Sequence, residues 1–214
     1  MTDRYRVPGT QGAFQPGSDG QVLANLVGIT KPEDMDELEL GLLTQLYEDV
    51  LISNLPDRQL VVADLKAWHR RWLGNVYEWA GQERAVNMSK GSFMFAAAPQ
   101  IPRLLAEFER NCLARWTPCH DLDTRTLVDA IAVTHVELIL IHPFREGNGR
   151  LSRMLADVMA VQSGREPLDY STWEAHKADY IAAIQHGLRT NYEPMKYWVA
   201  QALGPEGQAL KLPI

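Results

Sequence analysis

Cysteine is scarce in this 214-residue chain: Cys112 and Cys119 are the only two, too few for a disulfide framework. They read as unpaired structural thiols, and the simplest compartment is a reducing cytoplasm. His120 beside Cys119 raises the thought of a metal, but too few further ligands stand near it in the sequence. A basic excess is also missing. Lysine and arginine number 21 against 27 acids, a net charge of -6, which speaks against a general nucleic-acid partner. It leaves room for a small phosphate ligand, whose site needs only a few local donors. No apolar run reaches the ~20 residues that span a bilayer, and the opening MTDRYRVPGT has no apolar core of a secretory leader. No membrane partner is expected.

What is present is helical periodicity around one core, for which the length suffices. Residues 1–24 are rich in Gly, Pro, Ser and Gln and read as an irregular arm; residues 204–214 read as a tail. Between them, residues 25–203 form one domain. Met35, Leu38, Leu42, Leu46 and Val50 place a helix over Pro32–Ile52. The same spacing recurs over Asp64–Trp72, Pro99–Trp116, Asp123–Ile141 and Arg150–Gln162, with Gly164 suited to the position past a helix end. Ser171 is placed to cap another helix, with Glu174 at capping-box spacing, and a last helix is expected over Glu193–Leu203. The exception is Gln82–Ala98, where Lys90-Gly91-Ser92 sits between two short stretches of mixed polarity and predicts a small β-hairpin or flap. The fold class is therefore all-α, with that hairpin as a minor element.

One stretch resembles neither core nor ordinary surface: His142-Pro143-Phe144-Arg145-Glu146-Gly147-Asn148-Gly149-Arg150, followed by Arg153. Pro143 ends the preceding helix and disfavours helical geometry at His142. A new helix is expected to start near Asn148 or Gly149, so the run is a loop feeding a helix N-terminus. Such an end offers unpaired N–H groups and partial positive charge to an anion. Gly147 and Gly149 let the backbone approach a phosphate, and Asn148 has a side-chain donor to add. Arg150 and Arg153 lie on one helix face and suit a polyphosphate. Glu146 supplies a hard oxygen for Mg²⁺. His142 is the group able to take a proton at neutral pH. Together these are the parts for displacement at phosphorus. No lysine followed by Ser/Thr completes a P-loop, and no strand precedes the glycines as in a dinucleotide fold.

The run from His142 to Arg153 resembles the signature of the Fic family, HxFx(D/E)GNGRxxR, at every specified position. Ala67 to Arg84 is similar to the family's helix and AG-x-x-R segment, and NLVGITKPEDMDELE to its usual opening. The resemblance implies a mostly helical protein that transfers AMP from ATP to a Ser, Thr or Tyr hydroxyl of a target protein and releases pyrophosphate. By that likeness His142 is the base and Glu146 holds Mg²⁺. Gly147, Asn148 and Gly149 form the anion hole, and Arg150 and Arg153 bind the outer phosphates. Phe144 anchors the loop. Val86, Asn87, Met88, Ser89 and Lys90 belong to a flap that aligns the target by strand addition. The family also uses a restraining helix with the pattern S/T-x-x-x-E-G/N, supplied by a small antitoxin or by the chain itself. Thr44 and Glu48 match its first two elements, but Asp49 replaces the Gly or Asn; a pairing of Glu48 with Arg153 would be the consequence.

Plainer readings stand beside several residues. His135 reads as a core histidine, and His69, between tryptophans, as packing. Trp68, Trp72 and Trp79 read as core and flap support, and the acids from Glu33 to Glu39 as a solvated face. At the level of the molecule, an adenylyltransferase, in one form the toxin of a toxin–antitoxin pair, competes with two others. These are a Fic enzyme of different phosphoryl or nucleotidyl transfer chemistry and a non-catalytic nucleotide-binding module.

Overall fold

The computed structural model describes residues 10–91 and 93–210. The first nine residues of the arm, Ser92 of the hairpin turn and the last four of the tail lie outside them. Helix α1 spans Pro32–Tyr47, with Pro32 in its first turn, where a missing N–H is harmless, and Glu33 and Asp34 against its positive end. It widens into a π-helical turn over Glu48–Ser53. Helix α2, Val62–Leu73, begins where the Asp64 carboxylate accepts the Val61 N–H at 2.9 Å. Strands β1, Ser89–Lys90, and β2, Phe93–Met94, pair antiparallel in the register Ser89 to Met94 and Lys90 to Phe93. Gly91 takes the positive φ of 60° that so tight a turn requires.

A 3₁₀ turn at Ala98–Gln100 leads into α3, Ile101–Phe108; a π turn over Glu109–Leu113 and α4, Ala114–Trp116, continue the same run. Helix α5, Thr124–Ile141, is capped by Asp123, whose carboxylate accepts the Thr126 N–H at 2.7 Å. Helix α6 spans Asn148–Gln162, and Gly164, at φ 78°, closes its C-terminal end. Then come α7, Ser171–Ala175, α8, Lys177–His186, α9, Glu193–Ala202, and α10, Pro205–Gln208.

Helix α5 is the centre of the core. Leu127, Ala130, Ile131, Ala132 and Val136 are all fully buried, and it packs against α3, α6 and α9. A helix apolar nearly all round can only be stable inside. Helix α6 is likewise covered, with Leu151, Met154, Leu155, Val158 and Met159 at full burial. The loop between these two most buried helices is the His142–Gly147 segment, so its ends are fixed by the best-packed part of the molecule.

The arm, irregular as expected over its described part, is also packed, with Gln11 buried and Phe14 bridged to Leu23. Two expectations need correction. The tail carries a helical turn, α10, with Gly207 buried and Glu206 paired to Arg165 at 3.1 Å. Ser171 starts α7 without a side-chain cap, because Glu174 turns away to Arg153 instead of closing a capping box.

Candidate active site

His142 ends α5 in the left-handed region, φ 51° and ψ 59°, and the following proline bars a further right-handed helical residue there. Its Nδ1 lies 3.2 Å from the Ile139 carbonyl, an acceptor only, so Nδ1 carries the hydrogen and Nε2 keeps the lone pair. The ring stacks on Phe95 of the hairpin, with centroids 3.6 Å apart and planes at 14°. Burial pushes the imidazole down to about 4, the charges of Arg84 and Lys90 add to this, and the bond to Ile139 opposes it. His142 is therefore neutral at physiological pH.

The loop behind it is held from inside. Phe144 is buried and stacks on His69 at 4.0 Å. His69 accepts the Gly81 N–H at Nδ1, 2.8 Å, and donates from Nε2 to the Glu146 carbonyl, 3.1 Å. Burial holds it down to about 4, so this single tautomer persists. His69, expected as packing, is thus also a hydrogen-bond link, because the fold brings the Gly81 turn and the Glu146 loop to either side of its ring. Asn148 also differs from expectation. Its side-chain oxygen accepts from Phe144 N–H at 2.9 Å and its amide donates to Phe144 C=O at 2.8 Å. The side chain thus locks the loop and is not free to donate to a ligand. Gly147, at φ 79°, lies under Trp72 so closely that a Cβ would stand 2.6 Å from the ring. Gly149, by contrast, is exposed and a Cβ there would meet nothing, which leaves open space over the first turn of α6.

Arg84 joins loop and hairpin. Fully buried, it donates to the carbonyls of His142 (2.6 Å), Val86 (2.5 Å), Ala96 (2.5 Å) and Ile141 (3.3 Å), and its own N–H reaches Pro143 C=O at 2.8 Å. Burial lowers it to about 10, so it stays a cation. The AG-x-x-R segment, matched in the sequence as a likeness only, thus ends in the residue that pins the hairpin to the loop.

The two motif arginines have acid partners. Arg150 meets Glu39 at 2.5 Å and Glu146 at 3.5 Å, and lies 4.6 Å over the Trp72 ring. Glu39, on α1, is 3% exposed and accepts from Tyr77 OH at 2.7 Å. Burial raises its pKa, and Arg150 and Tyr77 oppose the rise. The expectation that Glu39 belongs to a solvated run is thus overturned. The signal was its place in the stripe Met35, Glu39, Leu43, Leu46, an acid on the buried face of α1. Arg153 meets Glu174 at 2.6 Å, with the Tyr170 ring 5.1 Å and those of Trp173 and Tyr180 6.0 Å from its guanidinium. The pairing expected between Arg153 and Glu48 is not formed: Glu48 is exposed, while the neighbouring Tyr47 turns inward to Asp157 at 2.8 Å. His135, as expected, is a satisfied core residue, with Nε2 2.8 Å from Tyr180 OH and Nδ1 3.3 Å from Ser152 C=O.

Glu146 accepts the Gly147 N–H at 2.9 Å and is 44% exposed, so its carboxylate opens to solvent above the start of α6. Among the described residues no three His, Cys, Asp or Glu side chains cluster as a self-sufficient metal site. Val86, Asn87, Met88 and Ser89 border a groove of about 340 Å³, faced by Gln11, Gly12 and Arg145; Lys90 follows at the exposed hairpin tip. His142, Glu146, Arg150 and Arg153 thus lie on one loop and the first turns of the helix it feeds, beside a hairpin.

The sequence pattern of the Fic/DOC family matches residues 59–160. A probable protein adenylyltransferase of Sinorhizobium fredii is 31% identical over 159 residues, covering 74% of this chain and 79% of that relative. The chain belongs to the Fic/DOC family. A second Fic relative, named a protein adenylyltransferase and found in Bartonella schoenbuchensis, is 29% identical over 72% of this chain but only 32% of its own length. The chain thus spans about a third of that larger protein. Two solved Fic structures show the same fold. The N-terminal Fic domain of a Bartonella effector aligns with a TM-score of 0.78 over 98% of both chains at 21% identity. An effector of Bartonella tribocorum, solved with bound AMPPNP, aligns at 0.72 and 23% identity over 90% of this chain and 96% of that one. Among the described residues, no helix of this Fic protein is long and apolar enough to cross a membrane.

Proposed function

We propose that this Fic chain is a protein adenylyltransferase, moving AMP from ATP to a Ser, Thr or Tyr hydroxyl of a target protein. The observation that carries the reading is His142: neutral, with Nδ1 committed to Ile139, and so with an Nε2 lone pair beside an open helix N-terminus. Nε2 takes the hydroxyl proton as the oxygen attacks the α-phosphorus. The bond from that phosphorus to the bridging oxygen breaks, and pyrophosphate leaves. The N–H groups of Asn148, Gly149 and Arg150 have no acceptor within their own helix and face the developing charge. Arg150 and Arg153 receive the outer phosphates, the aromatic rings around them limiting their movement. Glu146 is a single exposed carboxylate, the donor set that Mg²⁺ accepts when phosphates and water complete its shell. Bound there, Mg²⁺ would neutralise phosphate charge. The names of the relatives support the same activity. The two buried, unpaired cysteines fit the cytoplasm, and restraint by a separate antitoxin fits the exposed Glu48 better than a built-in pair does.

The test is transfer from α-labelled ATP with Mg²⁺ into a bacterial lysate, wild type beside His142→Ala. Label on protein that disappears in His142→Ala supports the reading. Label from γ-labelled ATP alone, or label indifferent to His142, overturns it.

A further inference from the structure

Arg145 occupies an unspecified position of the motif, and nothing in the transfer chemistry above uses it. It stands three residues from His142 in the same loop and lines the groove between arm and hairpin. Its Nε donates to the Gln11 carbonyl at 2.6 Å. Among the described residues, its two terminal nitrogens have no hydrogen-bond partner. The guanidinium is thus anchored at one edge and presents the other to the groove. Gln11 is itself pinned: its side chain accepts the Ala85 N–H at 2.7 Å and donates to Glu83 C=O at 3.3 Å. The arm is therefore a wall of the groove, fastened both to the base of the hairpin and to the motif loop.

The opposite wall is a strand edge. Phe95 N–H bonds Met88 C=O at 3.1 Å, so Met88 faces β2. By the alternation of an antiparallel ladder, Asn87 and Ser89 turn their N–H and C=O groups away from β2, toward the groove. An edge of that kind takes an extended chain by main-chain hydrogen bonds. Among the described residues, no acidic side chain lines the groove, and its one charged member is Arg145.

We infer that the groove between residues 11–12 and 86–89 holds the target as an extended segment, and that Arg145 selects an acidic side chain near the hydroxyl to be modified. The inference rests on the transfer reading above. The Cα atoms of loop residues three apart are at most ~11 Å from one another, each side chain adds several ångströms of reach, and an extended chain covers ~3.3 Å per residue, so the acid is expected within a handful of residues of the hydroxyl. The contact is a charge-assisted bond in a solvent-exposed groove, where selectivity of about three- to tenfold is the scale expected.

The experiment uses the full chain, α-labelled ATP, Mg²⁺ and a peptide array. Each peptide holds one central Ser, Thr or Tyr, with a single flanking position set to Asp, Glu, Ala or Lys. Self-modification of the enzyme is read in the same tubes. Wild type is expected to label Asp and Glu peptides about fivefold more than their Lys counterparts at one or two positions. Arg145→Glu should reverse that order, and Arg145→Gln should flatten it. Reversal is not something a loosened arm can produce, so it separates selection from support; melting temperatures of the variants report the latter. Transfer with no acid preference, or a preference unchanged in Arg145→Glu, overturns the inference and leaves the transferase reading intact. No His142-dependent label on peptide or enzyme overturns both.

Discussion

His142 keeps one nitrogen on the Ile139 carbonyl and the other free, and its burial decides when that free nitrogen is lost to a proton. An ordinary histidine is half protonated near 6.5, whereas this one is pushed down to about 4. The neutral form is therefore complete above about pH 5, and the base is lost only as pH falls through about 4. The rate of transfer at saturating ATP should stay level down to about pH 5.5, with no acid limb near 6.5; a limb there would show that burial does not control this ring. Arg84 offers a second check. Its planar fork satisfies four carbonyls, and Arg84→Lys keeps the charge but can reach only some of them. Stranding buried carbonyls is worth ~1–3 kcal/mol each, so a loss of about 3 kcal/mol in urea unfolding is expected, with transfer reduced at least tenfold. Stability within ~1 kcal/mol of wild type would contradict the role.

Elements were legible in proportion to how local their causes are. The spacing of apolar residues placed α5, α6 and α9 within a few residues, because which helix face is buried is written every three or four positions. Pro143 announced the break at His142, and Gly91 the turn of the hairpin. Illegible were the partners that arrive from afar. Glu39 and Arg150 are 111 residues apart, and no periodicity links them. Glu174 was misassigned to its own helix because local capping rules do not know that Arg153 stands opposite. Gly147 carries a similar distant constraint, since its need for glycine comes from Trp72 on α2 as well as from its φ of 79°. Gly147→Ala must therefore adopt a strained backbone and displace a buried indole, for which ~2–4 kcal/mol is the expected loss. Gly149→Ala, with open space and ordinary helical geometry, should be neutral in stability or better. Comparable unfolding midpoints for the two variants would refute the distinction.

For the molecule as a whole, the buried titratable groups set how folding depends on pH. His69, His135 and His142 are each pushed down to about 4, while in the unfolded chain they titrate near 6.5. Between those values the unfolded state holds the extra protons, so stability is full above about 6.5 and falls as pH drops toward 4. Asp157 acts in the opposite sense. Burial raises it from 3.8 to about 6, so the folded state takes its proton first and offsets about one of the three. At most a net two protons, fewer because burial also raises Glu39, at ~1.4 kcal/mol per proton per pH unit, keep the slope below ~2.8 kcal/mol per unit between about pH 5 and 6. His142→Ala should roughly halve it in urea unfolding followed across that range, and an unaltered slope would remove His142 from the account. The hairpin, finally, is fastened largely by its backbone, with Phe95 on His142 and Asn87 on the Ala98 N–H as its side-chain ties. Arg84 grips Val86 and Ala96 by their carbonyls, which every amino acid possesses. The hairpin is thus an exchangeable part: a foreign loop of equal length between residues 86 and 96 that keeps Asn87 and Phe95 should dock on the same pin. Recipients of the AMP label would change with the graft while turnover on the enzyme's own chain persists, as if a lathe had been given a new chuck.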